Sequence, residues 1–411
     1  FWAGVLTGVG ASFLVMSVLF FLFLSSVSPK KQEQTNTSEQ NVISSLFDST
    51  SNNTADDALT EKIRKIEGYI EDSFYLHDVT VEELENGMFK GMLDSLDDPY
   101  SVYYTQEELV ALLQETEGYY YGIGAYVSLD ETSHMPKITG IIANSPAEEA
   151  KLWPEDIIYE IDGESTYNWE LTDAVGRIKG EENTVVTLTI LRDSEKLSVP
   201  VTRRKVETPT VSQKMLDNDL AYIQITEFSK VSETQFAEAL AFARENSAKG
   251  IILDLRGNPG GSLSSVVNIA RQILPKGLIV YTQGKDGVKD NFSCDGSKEL
   301  ELPLVVLADG NSASASEILT GAIQDYGIGT IVGTTTFGKG IVQQIISLPD
   351  DSAIKITISS YYTPNGRNIH GVGIEPDVVC EFDAAAYYDE ENPVDNQLEK
   401  AKEVLLEKIG R

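Results

Sequence analysis

Cysteine and histidine are scarce in this chain of 411 residues, which has two cysteines, Cys294 and Cys380, and three histidines, His77, His134 and His370. Two cysteines far apart can form one disulfide or none, and they exclude a cysteine-rich metal framework or a disulfide scaffold. Positive charge is short as well: 32 Lys and Arg stand against 64 Asp and Glu, for a net charge of −32. That balance argues against nucleic acid or an anionic lipid surface as a partner. No metal or cofactor is expected. Long apolar runs are missing with one exception, "GVLTGVGASFLVMSVLFFLFL" from Gly4 to Leu24. As a helix at about 1.5 Å per residue it spans roughly the 30 Å hydrocarbon core of a bilayer. It reads as a single membrane anchor over residues 4–27, with a cleaved signal peptide as the alternative. Lys30 and Lys31 follow it and pull that side toward the cytoplasm.

What is present divides the chain. Residues 28–57 are polar and rich in Ser, Thr and Asn, a solvated tether with too little apolar matter to fold. Residues 58–116 are helical in pattern: Ile63, Ile66 and Ile70 share one face, and Thr80 with Glu83 opens a second helix as a capping box. "DDPYSVYY" is a Pro-marked turn, and "TQEELVALLQET" a third helix.

Residues 117–204 change to β character. "YYYGIGAYVSL" is a Gly-interrupted strand, and "ANSPAEEAKLWPEDIIYEIDG" gives a short helix capped at Ser145 and a strand ending at Asp162-Gly163. "TYNWELTDAVGRIKG" is helical and "TVVTLTILR" alternates as a strand. Together these resemble a PDZ domain, in which backbone N–H groups of a Gly-rich loop hold a peptide's C-terminal carboxylate while the peptide adds a strand. The resemblance puts that loop at Tyr121, Gly122, Ile123 and Gly124, and the apolar groove beside Ala125, Val127, Val175 and Ile178.

From residue 205 to 385 strands and helices alternate: "DLAYIQITEF", "SETQFAEALAFAREN", "GIILDLRGNPGG", "SSVVNIARQIL", "LPLVVLADG" and "GTIVGTTTFGKG". That pattern predicts an α/β layered domain with buried strands. Residues 386–411 end in an amphipathic helix with Leu398, Ala401, Leu405 and Ile409 on one side.

Chemistry concentrates where "VVLADGNSASASEILTG" turns from strand to helix. Ser314 matches the first position of a capping box with Glu317, so it can be a mere cap. A helix N-terminus also offers a nucleophile free N–H donors and a favourable dipole. Such a hydroxyl needs a base. His370 in "NGRNIHGVGIEPD" is one possibility, but Lys339 is the better candidate, set between Gly338 and Gly340 with Phe337, Ile341 and Val342 around it. Burial there disfavours the ammonium and makes a general base. Gln343, four residues on, can orient the amine without adding charge.

The stretches "NSASASEILTGAIQDYG", "VGTTTFGKGIVQQ", "LDLRGNPGG" and "YYTPNGRNIHGVGIEPD" jointly resemble the carboxyl-terminal processing, or tail-specific, proteases. The likeness extends over about residues 59–382. It implies an α+β and α/β multidomain chain, a PDZ-like β domain ahead of a layered, crotonase/Clp-like serine protease core. It further implies Ser314, Lys339 and Gln343 as the catalytic set, with the backbone N–H groups of Ala315, Gly260 and Gly261 as oxyanion donors. Protein C-termini are the implied substrate, with a homodimer possible and the catalytic part outside a bacterial cytoplasm. A PDZ peptide-binding scaffold with a silent protease-like domain is the alternative. One departure stands out: the PDZ helix ends "RIKG", with Lys179 where relatives often carry an arginine that couples peptide binding to activation, and Arg177 two positions earlier.

Overall fold

The computed structural model describes residues 53–389 and 391–410. The expected anchor at 4–27 and most of the expected linker lie outside the described residues. Among the described residues no helix is long and apolar enough to cross a membrane.

The N-terminal region holds helices α1 (Asn53–Ser73) and α2 (Val81–Asp94). The cap expected at Thr80 is present, its hydroxyl accepting from Glu83 N–H while the Glu83 carboxylate accepts from Thr80 N–H at 2.7 Å. After the Pro turn come strand β1 (Val102–Tyr104) and helix α3 (Gln106–Glu117), capped by Thr105 and Glu108. Gly118 stops α3 at φ 82°, and a Cβ there would come within 2.4 Å of Val231. Only glycine meets both conditions.

The next unit is a small β domain. Strand β2 (Tyr119–Gly122) pairs antiparallel with β9 (Arg204–Glu207), a ribbon that ties the two ends of the unit together. Between them run β3 (Ala125–Leu129), β4 (Pro136–Ile141), α4 (Pro146–Glu149), β5 (Ile157–Ile161), β6 (Glu164–Ser165), α5 (Leu171–Ile178), β7 (Val185–Arg192) and β8 (Glu195–Thr202). The sheet order is β3-β4-β5-β7-β8 with β6 on β5. Val186, Leu188 and Ile190 alternate into its core with Ile138, Ile158 and Ile161, the period of two that a half-buried strand requires.

The layered domain follows, with β10 (Val211–Leu216), β11 (Leu220–Ile225), α6 (Lys230–Glu245), β12 (Gly250–Asp254), α7 (Leu263–Ala270), β13 (Gly277–Gly284), β14 (Lys289–Cys294), β15 (Leu304–Ala308), α8 (Ala315–Tyr326), β16 (Gly329–Gly333), β17 (Ile341–Ser347), β18 (Ala353–Tyr362) and β19 (Val378–Val379). Helices α9 (Ala384–Tyr387) and α10 (Asn396–Ile409) close the chain. Six strands form one sheet in the order β10-β11-β12-β15-β16-β19, parallel except for β10. Every residue of β12 and β15 is buried, as expected for a parallel sheet covered on both faces. Phe236, Val266 and Leu319 from α6, α7 and α8 cover one face, and Ala401 and Leu405 of α10 the other.

The second sheet of this domain, β1-β18-β13-β14 with β17 on β18, is antiparallel and was not foreseen. It corrects the expected boundary at residue 116. The segment read as helical donates a strand, Val102–Tyr104, to β18 of the layered domain. Cys294 and Cys380 are both free thiols, so no disulfide joins them.

Candidate active site

Strand β15 ends at Ala308, and Asp309 to Ala313 turn the chain into α8. The three serines of that turn separate by their contacts. Ser312 is fully buried and its hydroxyl donates to Leu255 O at 2.8 Å, which pins the turn to the end of β12. Ser316 is fully buried too, donating to Asn258 O at 3.0 Å. Ser314 sits between them with φ 53° and ψ −109°, away from the extended backbone that Thr80, Thr105 and Ser145 adopt as true caps. A positive φ costs a residue with a Cβ on the order of 1 kcal/mol or more, so the surroundings must impose it.

Glu317 imposes it. Its carboxylate is fully buried and accepts four hydrogen bonds: Ser314 N–H at 2.8 Å and Lys339 N–H at 2.9 Å on one oxygen, the Thr336 hydroxyl at 2.6 Å and Gly338 N–H at 2.7 Å on the other. One carboxylate oxygen therefore holds the backbones of Ser314 and Lys339 side by side. Burial pushes the Glu317 carboxyl up, and the four donors pull it back part of the way. A second clamp is Tyr361 of β18, whose hydroxyl donates to Ser314 O at 3.0 Å and whose N–H donates to Gly340 O at 3.0 Å.

Lys339 lies on the loop between β16 and β17 and is 6% exposed. Its Nζ is 4.1 Å from the centre of the Tyr100 ring. Burial brings the amine down to about 8, against the negative charges of Asp98 and Glu317, which hold it up. Gln343, 3% exposed on β17, donates through Nε2 to the Thr357 hydroxyl of β18 at 3.1 Å. His370 lies exposed on the loop after β18, where its N–H donates to the Asn368 side chain.

The Gly-rich turn after β12 borders Ser314 through Ala313 N–H, which donates to Asn258 O at 3.0 Å. Gly261, at φ 142°, needs to be glycine because a Cβ would sit 2.0 Å from Phe228 O. Here one expectation is corrected: Gly260 N–H donates to the Asn258 side-chain oxygen at 2.7 Å, so it is committed within its own loop.

Three stretches of the chain match known family models: residues 219–380 the peptidase family S41, residues 137–192 the PDZ domain, and residues 5–108 the activating protease CtpB N-terminal domain. A carboxyl-terminal-processing protease of Synechocystis sp. is 38% identical over 322 residues, covering 76% of this chain and 75% of that one. The chain belongs to the carboxyl-terminal processing proteases of peptidase family S41. The carboxy-terminal processing protease CtpA of Bacillus subtilis is 34% identical over 328 residues, covering 79% of this chain and 70% of its own. Among solved structures, a photosystem II D1 C-terminal processing protease is 28% identical, with 77% and 85% of the two chains covered and a TM-score of 0.46. The protein is thus a serine peptidase with a PDZ domain.

In this processing protease the expected carboxylate loop is divided. Tyr121 and Gly122 belong to β2 and pair with Lys205 and Arg204, because their extended backbone continues the ribbon. Ile123 and Gly124 make the turn into β3; Gly124 at φ 81° packs against Ser145, and Ile123 O accepts from Ala147 N–H at 2.7 Å. Ile123 (2% exposed) and Ile178 (5% exposed) are core residues of the domain, whereas Val175 is half-buried. Arg177 does point away from Lys179, pairing with Glu164 at 3.0 Å and stacking over Trp169. Lys179 lies over the Tyr120 ring at 5.1 Å.

Sequence reasoning missed four participants. Glu317 was legible only as a cap, Thr357 gave no signal, and Asp98 and Tyr100 lay in a stretch read as a turn. The one available hint was the density of Asp, Tyr and Ser in "DDPYSVYY", unusual for a connector.

Proposed function

We propose that this protease is anchored through residues 4–27, acts outside the cytoplasm of a bacterial cell, and cuts proteins whose apolar C-termini its PDZ domain recognises. Ser314 is the nucleophile, Lys339 its base and Gln343 the group that orients the base. The observation that carries this reading is the shared Glu317 oxygen, which sets a strained Ser314 beside a buried lysine whose pKa lies near working pH.

In the reaction neutral Lys339 Nζ takes the Ser314 hydroxyl proton while Oγ bonds to the scissile carbonyl carbon. The oxyanion meets the N–H groups of Ala315, at the N-terminus of α8, and Gly261. The resulting ammonium gives its proton to the leaving amine nitrogen as the C–N bond breaks, which leaves an ester on Ser314. Water then gives one proton to Lys339 as its oxygen attacks the ester, the ammonium passes that proton to Ser314 Oγ as the ester C–O bond breaks, and the new carboxylic acid loses its remaining proton to solvent. Peptide C-termini reach this centre after joining β3 as an added strand near Gly124 and Val175. The exposed Ile66 and Tyr69 of α1 and Met92 of α2 support pairing with a second copy, which sedimentation equilibrium checks.

The test is cleavage of an unstructured protein with an apolar C-terminus by the full chain and by Ser312→Ala, Ser314→Ala, Ser316→Ala and Lys339→Ala. Activity is lost by more than about 10³-fold in Ser314→Ala and Lys339→Ala, while Ser312→Ala and Ser316→Ala turn over at rates that follow their folded fraction. Full turnover by Lys339→Ala, above all with turnover lost in His370→Ala, overturns the assignment.

A further inference from the structure

The direction of the Gln343 amide is set from outside the layered domain. Gln343 and Thr357 are register partners across β17 and β18, and Gln343 Nε2 donates to Thr357 Oγ1 at 3.1 Å. Thr357 Oγ1 in turn donates to Asp98 Oδ2 at 2.6 Å. A threonine hydroxyl has one proton and an ionised carboxylate has none to give. Thr357 must therefore spend its proton on Asp98 and receive the N–H of Gln343. That turns the amide nitrogen toward Thr357 and its carbonyl oxygen, an acceptor, away from it.

Asp98 is itself held rigidly. Its Oδ1 accepts from Tyr100 N–H at 3.1 Å, and its Oδ2 from the Ser101 hydroxyl at 2.6 Å. Thr357 N–H donates to Ser101 Oγ at 3.2 Å, so strand and loop are locked twice. Burial raises the Asp98 carboxyl, but the Ser101 and Thr357 hydroxyls outweigh it and keep it below the usual carboxylate value, hence ionised. The loop is fixed in space because β1, which follows it directly, is paired with β18 from Val102↔Lys355 to Tyr104↔Ala353. The same loop carries Tyr100, whose ring lies against Lys339 Nζ.

We propose that Asp98 is a positioning residue of the protease: acting through Thr357 it orients Gln343 so that the amide oxygen accepts from the Lys339 amine, while Tyr100 roofs that amine. This rests on the reading of Ser314, Lys339 and Gln343 as the catalytic set. It makes the N-terminal region part of the active site. A lysine held by an acceptor on one side presents its lone pair in one direction, and an amide free to flip would offer its NH₂ to the amine instead.

The experiment is a double-variant cycle in the full chain, with Gln343→Ala, Thr357→Val, their combination, Thr357→Ser and Asp98→Asn, scored by kcat and KM on one peptide substrate. The expected result is a 10- to 100-fold loss of kcat in Thr357→Val with KM within about twofold, and recovery to within about threefold in Thr357→Ser. Thr357→Val adds less than about twofold to the loss in Gln343→Ala, because the two act as a unit. Asp98→Asn moves the acid limb of kcat/KM to lower pH, since its charge holds the Lys339 amine up. Multiplicative losses in the combined variant, or wild-type kcat in a Thr357→Val protein of unchanged melting temperature, overturn the relay. If Thr357→Val melts early, Asp98→Asn decides by the same kcat and pH readout. Gln343→Ala turning over like wild type defeats the catalytic reading itself, whereas its loss together with a silent Thr357→Val defeats only the relay.

Discussion

Lys339 and Glu317 make opposite demands on one small volume. The lysine is useful as a base only when neutral, and burial takes its amine down to about 8. The negative charge of Asp98 holds that amine up, as does that of Glu317. A base must be deprotonated, so kcat/KM should climb about tenfold per pH unit below pH 8 and level off above it, which a pH profile with a neutral peptide reads directly. Glu317→Gln should shift that limb to lower pH, since one negative charge is gone. It should also lower kcat by 10²-fold or more, because the amide puts an N–H where a backbone N–H already points. A limb that moves to higher pH, or one that stays put, contradicts this account. Ser314, Lys339 and Gln343 were legible in the sequence because each sits in a short local motif. Glu317 was legible only as half of a cap, since its bonds to Thr336, Gly338 and Lys339 join residues about 20 apart in the chain.

At the scale of elements, the turn after β12 is tied to the last helix by a partly buried charge cluster. Arg256 donates to Asp254 at 2.6 Å and to Asp395 at 2.8 Å, and Asp254 also accepts from the Tyr222 hydroxyl at 2.7 Å. Asp395 caps α10, accepting from Leu398 N–H at 3.0 Å. Removing one partner leaves Arg256 with half its compensation, so Asp395→Ala should cost about 3 kcal/mol, read from urea unfolding. Because the same turn carries Gly261, kcat should fall with it. A stable Asp395→Ala protein with wild-type kcat would separate α10 from the site. The sequence announced α10 through Leu398, Ala401, Leu405 and Ile409, and it announced the parallel strands as continuous apolar runs. It did not announce the antiparallel sheet, whose strands alternate weakly and pair across distances no local pattern encodes. β1 is the clearest case: three residues, too short for a period, paired with a strand some 250 positions later.

At the scale of the whole molecule, the three parts of the chain meet over a set of interacting ionisable groups. Glu115 comes from α3, Lys179 from the end of the PDZ helix, Lys355 from β18 and Glu227 from the loop after β11. Lys355 donates to the Tyr104 hydroxyl at 2.7 Å, and burial together with the charge of Lys339 brings its amine down to about 8, against Glu115 and Asp98. Burial and the charge of Glu115 push Glu227 up to about 7. Burial raises Glu115 as well, against the charges of Lys179 and Lys355. These shifts act on stability with opposite signs. Glu227 binds its proton more tightly folded than unfolded, so its contribution is present at low pH and is lost as pH rises from about 4.5 through 7. Lys339 and Lys355 bind theirs more tightly unfolded, so their burden is full below about pH 8 and is relieved as pH rises toward 10.5. Stability from these groups should therefore pass through a trough between about pH 7 and 8. Glu227→Gln should remove the acid side of that trough, gaining roughly 2 kcal/mol over wild type at pH 8 and nothing at pH 4. Lys355→Met should flatten the alkaline side by about half, with Lys339 supplying the remainder. Melting temperature against pH for the three proteins measures both effects, and a wild-type minus Glu227→Gln difference that is constant from pH 4 to 8 would show that this carboxyl is not the group that titrates where the three parts of the chain meet.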